Sequence, residues 1–276
     1  MTKFEFAQAI ATAVNGEAKE VEKSNGVKKT GICVGTGNIR PNIYIDEMYD
    51  EGLSVEEATK QVSEMAERYA VPDSEFDVSR VYDYRVAKDM LELRLYNNKT
   101  NAEVFQSAAK YGYDDLILIP YIRLSDEASI KVTNVVLDMW DMDADEVIDD
   151  AMESTRKKEF KIQSLRDIFV EMMGEEMASV MVPPVEDGEE EKQYFVGNRN
   201  KAFGAIGAIV LKDEFNKRFP NGYYILPSSI HEVLLMPKSC GMNKTEIDDM
   251  VNSVTNTQVA SEDVLGWHCY EFKGVA

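Results

Sequence analysis

Histidine is scarce in this 276-residue sequence, which holds only His231 and His268. His231 stands in the run Leu226-Pro227-Ser228-Ser229-Ile230-His231-Glu232, which sets two hydroxyls, an imidazole and a carboxylate side by side. Side chains of these types can do acid–base and nucleophilic work: an imidazole polarised by a carboxylate from elsewhere in the chain would activate Ser228 or Ser229. The hydrolase-type candidate site is therefore Ser228, Ser229, His231 and Glu232, joined by His268 if the two histidine-bearing strands are neighbours. Spacing argues against its simplest form. Adjacent residues of a strand point to opposite faces, so His231 and Glu232 share a pocket only across a bulge. The strained Gly-x-Ser-x-Gly turn that exposes a hydrolase serine is absent. So are HExxH and CxxC, and neither a metal nor a cofactor is expected. The favoured reading of the run is a strand histidine bonded to backbone beside a serine turn.

Other chemistry-bearing residues are weaker still. Gly35-Thr36-Gly37 begins like a phosphate loop, but Arg40 stands where the third glycine is needed and no helix opens there. Cys240 has only Lys238 as a nearby cation, and Cys269 lies in an apolar segment beside His268, so buried, unreactive thiols are expected. Counted from Asp141, the series from Asp138 to Asp150 has Glu146 where a calcium loop needs glycine; this series and the groups Asp46-Glu47 and Asp50-Glu51 read as solvated helix faces or helix N-terminal charges.

The elements that would carry these residues follow from periodicity. Phe4, Ala7, Ile10 and Val14 predict a helix over 3–15, ended by Asn15-Gly16. Ser24-Asn25-Gly26 predicts a hairpin turn leading into a strand over 27–34, with a further short strand at 43–45. Ser54 with Glu57 has capping-box spacing and opens a helix stopped by Pro72. Helices are predicted over 81–95 and, capped by Asn101 or Thr100, to about Lys110. The apolar run in 114–124 predicts a buried strand, with Pro120 marking a bulge or a sheet edge. Residues 130–140 begin extended and turn helical. Asp143 with Glu146 opens another helix to about Arg156, and 165–173 is a shorter one. An extended piece is expected at 194–196, a central helix over 205–219, and strands at 223–226 and 230–236. Asn243 with Glu246 opens a last helix, with Ile247, Met250, Val251 and Val254 inward. A closing strand covers 266–272. Mixed helices and short strands without a βαβ repeat indicate an α+β fold, in one large or two small domains. Residues 182–192 hold two prolines, a glycine and five acidic residues, and read as a linker or loop between regions 1–181 and 193–276.

Composition bounds the function. An apolar fraction of 44% is enough for a full core. No apolar run approaches the ~20 residues of a membrane span. Lys3 is the only basic residue near the start, which does not resemble a signal peptide. Three cysteines without CxxC spacing suit reduced thiols, so a soluble cytoplasmic protein is expected. Thirty basic residues against fifty acidic ones give a net charge of -20, which repels nucleic-acid phosphates and anionic membranes. The same surface is available to a basic protein partner, or would mimic nucleic acid.

Four segments are similar to an uncharacterised bacterial family, the domain of unknown function 5688: Asp114-Asp115-Leu116 through Ile122; Val132-Thr133-Asn134; Gly204-Ala205 leading into an apolar helix; and Leu226 to Val233, whose Pro-Ser-Ser-Ile-His-Glu is the most specific stretch. The resemblance spans nearly the whole chain and implies no activity, cofactor or catalytic residue. The expected function is thus a non-enzymatic binding protein with an acidic surface. The hydrolase centred on Ser228, Ser229, His231 and Glu232 and the nucleic-acid mimic are the alternatives.

Overall fold

The computed structural model describes residues 1–36, 40–70, 79–125, 128–185, 193–198 and 202–273. Gly37 of the Gly-Thr-Gly turn and Pro72 lie outside them. The fold is α+β, and its three sheets among the described residues are all antiparallel. No helix of the described residues is long and apolar enough to cross a membrane. The chain forms two compact units, Met1–Asp83 and Tyr84–Ala276.

In the first unit, α1 (Lys3–Ala13) opens on a capping box between Thr2 and Glu5 and buries Phe6, Ala7, Ile10 and Ala11. Asn15 ends it in the left-handed region at φ 53°. β1 (Glu17–Glu22) and β2 (Lys28–Cys33) pair from Glu17↔Cys33 to Glu22↔Lys28, with β3 (Asn42–Tyr44) on the other side of β2. The turn is longer than a two-residue Asn-Gly loop: Ser24–Gly26 makes a 3-10 turn in which Asn25 and Gly26 both take positive φ. After α2 (Asp46–Asp50), α3 (Val55–Arg68) starts on the expected Ser54–Glu57 capping box. Its Ala58 and Val62 pack with Ile10, Ile32, Ile43 and Ile45 in one core. α4 (Ser79–Tyr82) follows.

The second unit corrects the sequence reading at its start. Residues 81–95 are not one helix: after α5 (Tyr84–Ala87) and a 3-10 turn, β4 runs Leu91–Asn97. The period that wins is two, because Leu91, Leu93 and Leu95 fill one face while Glu92 and Arg94 share the other. The helix expected from Asn101 is likewise absent. Asn97 Oδ1 accepts the N–H groups of Lys99 and Thr100, Asn101 Nδ2 donates to the Asn97 carbonyl, and the chain turns instead.

β5 (Tyr111–Tyr113) and β7 (Ser129–Lys131) both pair with one side of β6 (Leu116–Arg123), and β4 pairs with the other. Pro120 is therefore on a central strand, not at an edge. Its carbonyl accepts the Val132 N–H, so its missing donor faces the gap between β5 and β7 and no ladder bond is lost. β4 is an edge strand of this sheet. α7 covers it, with the Leu93 N–H donating to Thr155 Oγ1 at 2.9 Å.

α6 (Asn134–Trp140) precedes α7 (Ala144–Arg156), whose N-cap Asp143 makes no side-chain cap bond, so that capping box is not formed. A five-stranded sheet follows in the order β12-β10-β11-β9-β8. β8 (Phe160–Ser164) pairs along its length with β9 (Tyr194–Asn198). β8 and β9, which come before and after the 182–192 stretch in the chain, are thus neighbours in one sheet, and the compact units divide near residue 83. Between those strands come α8 (Leu165–Met173) and α9 (Glu175–Met181), the second of which periodicity did not resolve from the acidic stretch behind it.

The expected helix over 205–219 is broken. A 3-10 turn at Gly204–Ile206 leads into α10 (Gly207–Val210), and α11 (Lys212–Arg218) follows after Leu211. β10 (Tyr223–Leu226) and β11 (Glu232–Pro237) sit where expected. α12 (Lys244–Gln258) opens on the Asn243–Glu246 capping box and buries Ile247, Val251 and Thr255. Val254 is exposed, and Thr255 takes its place inward, donating to the Gly266 carbonyl. The closing strand is shorter than expected, β12 (Tyr270–Phe272).

Candidate functional site

His231 stands immediately before β11, and both its ring nitrogens are engaged. Nδ1 accepts the Phe203 N–H at 3.1 Å, and Nε2 lies 3.3 Å from Asp263 Oδ1. Its backbone is held as well: its N–H donates to Ser229 Oγ, and its carbonyl accepts the Gly204 N–H. The Ser229 hydroxyl therefore meets the backbone of His231, not its ring, and the Ser229 N–H closes the turn on the Glu232 carbonyl. Ser228 is half-buried in that turn, and Glu232 is exposed at the start of β11, opposite Gly197. His268 belongs to a different group. Its Nε2 lies 3.0 Å from Asp115 Oδ2, and Tyr270 donates its hydroxyl to the other oxygen of the same carboxylate. Each histidine thus has its own carboxylate.

What His231 positions is Phe203. That residue is held at φ 52°, in the left-handed region, by the bond to the imidazole and by the close approach of Gly204 to the His231 carbonyl. Its ring covers the Arg94 guanidinium at 3.8 Å, and the Tyr121 ring lies 4.1 Å from the same group. Arg94 donates through Nε and Nη2 to Glu92 Oε1, while Lys158 donates to Glu92 Oε2. Burial alone would raise the Glu92 pKa. The Arg94 charge and the Lys158 hydrogen bond outweigh it and hold the carboxyl below its ordinary range. Burial lowers the Lys158 pKa, and the charges of Arg123 and Arg94 add to that against the pull of Glu92. The Glu92–Arg94–Lys158 cluster was missed in the sequence. Its signal was a Glu and an Arg two residues apart in an otherwise apolar period-two run.

If His231 is a positioning group, His231→Ala removes the acceptor of the Phe203 N–H and should cost about 1–2 kcal/mol. Urea unfolding of wild type and variant measures this. The cysteines invite a second check. Burial and the Asp248 carboxylate push the Cys269 thiol up to about 12, and Cys33 is buried, whereas Cys240 is half-buried. Iodoacetamide at pH 8 is expected to label Cys240 first, and the other two only on unfolding, as peptide mapping would show.

The third feature is an apolar surface. α8 contains Leu165, Ile168, Phe169, Val170, Met172 and Met173, yet none of its residues is buried. Met172, Met177, Val180 and Met181 are 74%, 59%, 76% and 61% exposed. Met177, Val180 and Met181 are three and four residues apart and share one face of α9. Arg166 clamps the two helices by donating to the Val182 carbonyl and Ser179 Oγ and by pairing with Glu175. The hairpin is thus a fixed platform carrying exposed methionines.

A family model described as a family of unknown function (DUF5688) matches residues 3–274. The chain belongs to that family. No curated protein and no solved structure matches it. DUF5688 membership carries no activity with it, so function must be argued from the residues. Among the described residues, no group of three or more His, Cys, Asp or Glu side chains is placed to hold a metal ion. In this DUF5688 chain the His231 of the Pro-Ser-Ser-Ile-His-Glu stretch bonds the Phe203 N–H, and the Phe203 ring lies against Arg94 of the ion cluster.

Proposed function

We propose that the protein is a non-enzymatic binding protein whose α8–α9 hairpin docks a basic amphipathic helix of a protein partner. The observation that carries this reading is the row of exposed side chains Met172, Met177, Val180 and Met181 on a clamped two-helix platform. Exposed apolar side chains concentrated on one two-helix hairpin favour an interaction site, and methionine's flexible thioether lets one surface repack around different apolar faces. Charge selects the partner. Residues 165–181 carry Asp167, Glu171, Glu175 and Glu176 against Arg166 alone, on a chain of net charge -20. An apolar stripe flanked by Lys and Arg complements both features.

The test is calorimetric titration with a synthetic Leu/Lys amphipathic helix and with a scrambled peptide of equal charge. The amphipathic peptide is expected to bind, more weakly at high salt, and the scrambled one is not. Met177→Asp with Met181→Asp should weaken binding about 100-fold, at roughly tenfold per lost anchor. Stability should stay within about 0.5 kcal/mol, because both side chains are exposed. Self-association through the hairpin, seen by sedimentation and abolished by the same variant, would count against the reading. The hydrolase alternative centred on Ser228, Ser229, His231, Glu232 and His268 draws less support, because both His231 nitrogens are already engaged and His268 is bonded to Asp115.

A further inference from the structure

We propose that the cavity beside Arg94 and Lys158 is a binding site for a phosphate group. Arg94 and Lys158 share the single carboxylate of Glu92, so their trio carries one excess positive charge. The side chains of Arg94 and Glu92 are each only 12% exposed and that of Lys158 is 27% exposed, so the cluster is held mostly away from water. A desolvated cation in excess is stabilised by an anion, and Arg and Lys together suit a phosphate oxygen set. On a chain of net charge -20, Arg94 and Lys158 line one cavity together with Glu92.

Size and shape agree. The cavity is about 60 Å³ and is lined further by Ser125, Asn198 and Phe203. That is room for about four waters, the size of one tetrahedral oxyanion. Arg94 is pre-oriented, with its guanidinium beside the Phe203 and Tyr121 rings and its Nη2 donating to Ser129 Oγ. An open groove of about 680 Å³ continues from the cavity through the shared residues Lys158, Phe160 and Asn198, and adds Arg156, Glu159, Lys161, Ile162, Leu211 and Glu214. The groove has space and apolar surface for the organic part of a phosphate monoester. The cavity itself takes no residue from the α8–α9 hairpin, while Lys161 of the groove pairs with Glu171 of α8.

The experiment titrates wild-type protein with inorganic phosphate and with phenyl phosphate at constant ionic strength, following the melting temperature and the Arg94 Nε–Hε resonance. Saturable shifts with both anions are expected. Tighter binding of phenyl phosphate assigns the site to an ester that uses the groove, and equal binding assigns it to the free oxyanion. Two variants should move affinity in opposite directions. Lys158→Gln weakens it at least about tenfold by removing a charged donor, and Glu92→Gln tightens it by removing the competing carboxylate. The proposal is overturned if phosphate shifts the wild type no more than chloride does, or if the shift is the same in Lys158→Gln. Should a variant not fold, the wild-type Arg94 resonance decides alone: no saturable change sinks the site.

Discussion

Replacing Glu92 by alanine is expected to destabilise the Tyr84–Ala276 unit by about 3–5 kcal/mol, the usual cost of removing one partner from a buried charge cluster. The reason is what remains. Arg94 and Lys158 both lose their carboxylate partner, and they then repel each other and Arg123 with little water to screen them. The effect carries a pH signature. The folded-state pKa of Glu92 lies below its ordinary 4.5, so its stabilisation is fully present above about that pH and is lost as pH falls through the folded value. Wild-type unfolding free energy should therefore drop on acidification below pH about 4.5, and the Glu92→Ala protein should show a shallower drop in that window. Denaturant titrations at a series of pH values measure both slopes. An alanine variant within 1 kcal/mol of wild type at pH 7 would mean that the cluster is solvated.

The second large effect is expected at Gly204. A methyl group there would meet the Asn198 nitrogen at 2.4 Å and the Gly197 carbonyl carbon and the His231 carbonyl oxygen at 2.6 Å, all of them backbone atoms. Backbone cannot rotate aside as a long side chain would. Gly204→Ala must therefore part the 202–206 segment from β9 and from His231, at roughly 3 kcal/mol. The same shift would lift Phe203 from the Arg94 guanidinium. Gly112→Ala is the control, because nothing lies within 4 Å of its added carbon, and a change within about 0.5 kcal/mol is expected. Urea midpoints of the two variants make the comparison.

These two positions show what the sequence could and could not reveal. Capping boxes at Ser54 and Asn243 were legible because their signal is local: a side chain and a carboxylate three residues apart satisfy each other's backbone. The apolar run from Leu116 was legible for its length and composition. β4 was misread because Val81, Val86, Met90 and Leu93 also fit a helical spacing, and only pairing with β6 and coverage by α7 select period two. The helix expected after Asn101 failed because two buried asparagines bind the backbone that a helix would need. The Pro-Ser-Ser-Ile-His-Glu stretch drew notice in the sequence, but the partners of His231, Phe203 and Asp263, are 28 and 32 residues away and no local pattern names them. Exposure of the hairpin methionines was invisible for a related reason. A helix rich in Leu, Phe and Met reads as core, and only the packed structure leaves it uncovered.

The measurement that bears most directly on the central claim is a methyl spectrum of the protein labelled at its 14 methionines, recorded as the basic amphipathic peptide is added. The account predicts shifts concentrated at Met172, Met173, Met177 and Met181, with the buried Met48 and Met236 unmoved. Saturable peptide binding that leaves those four resonances in place would contradict it.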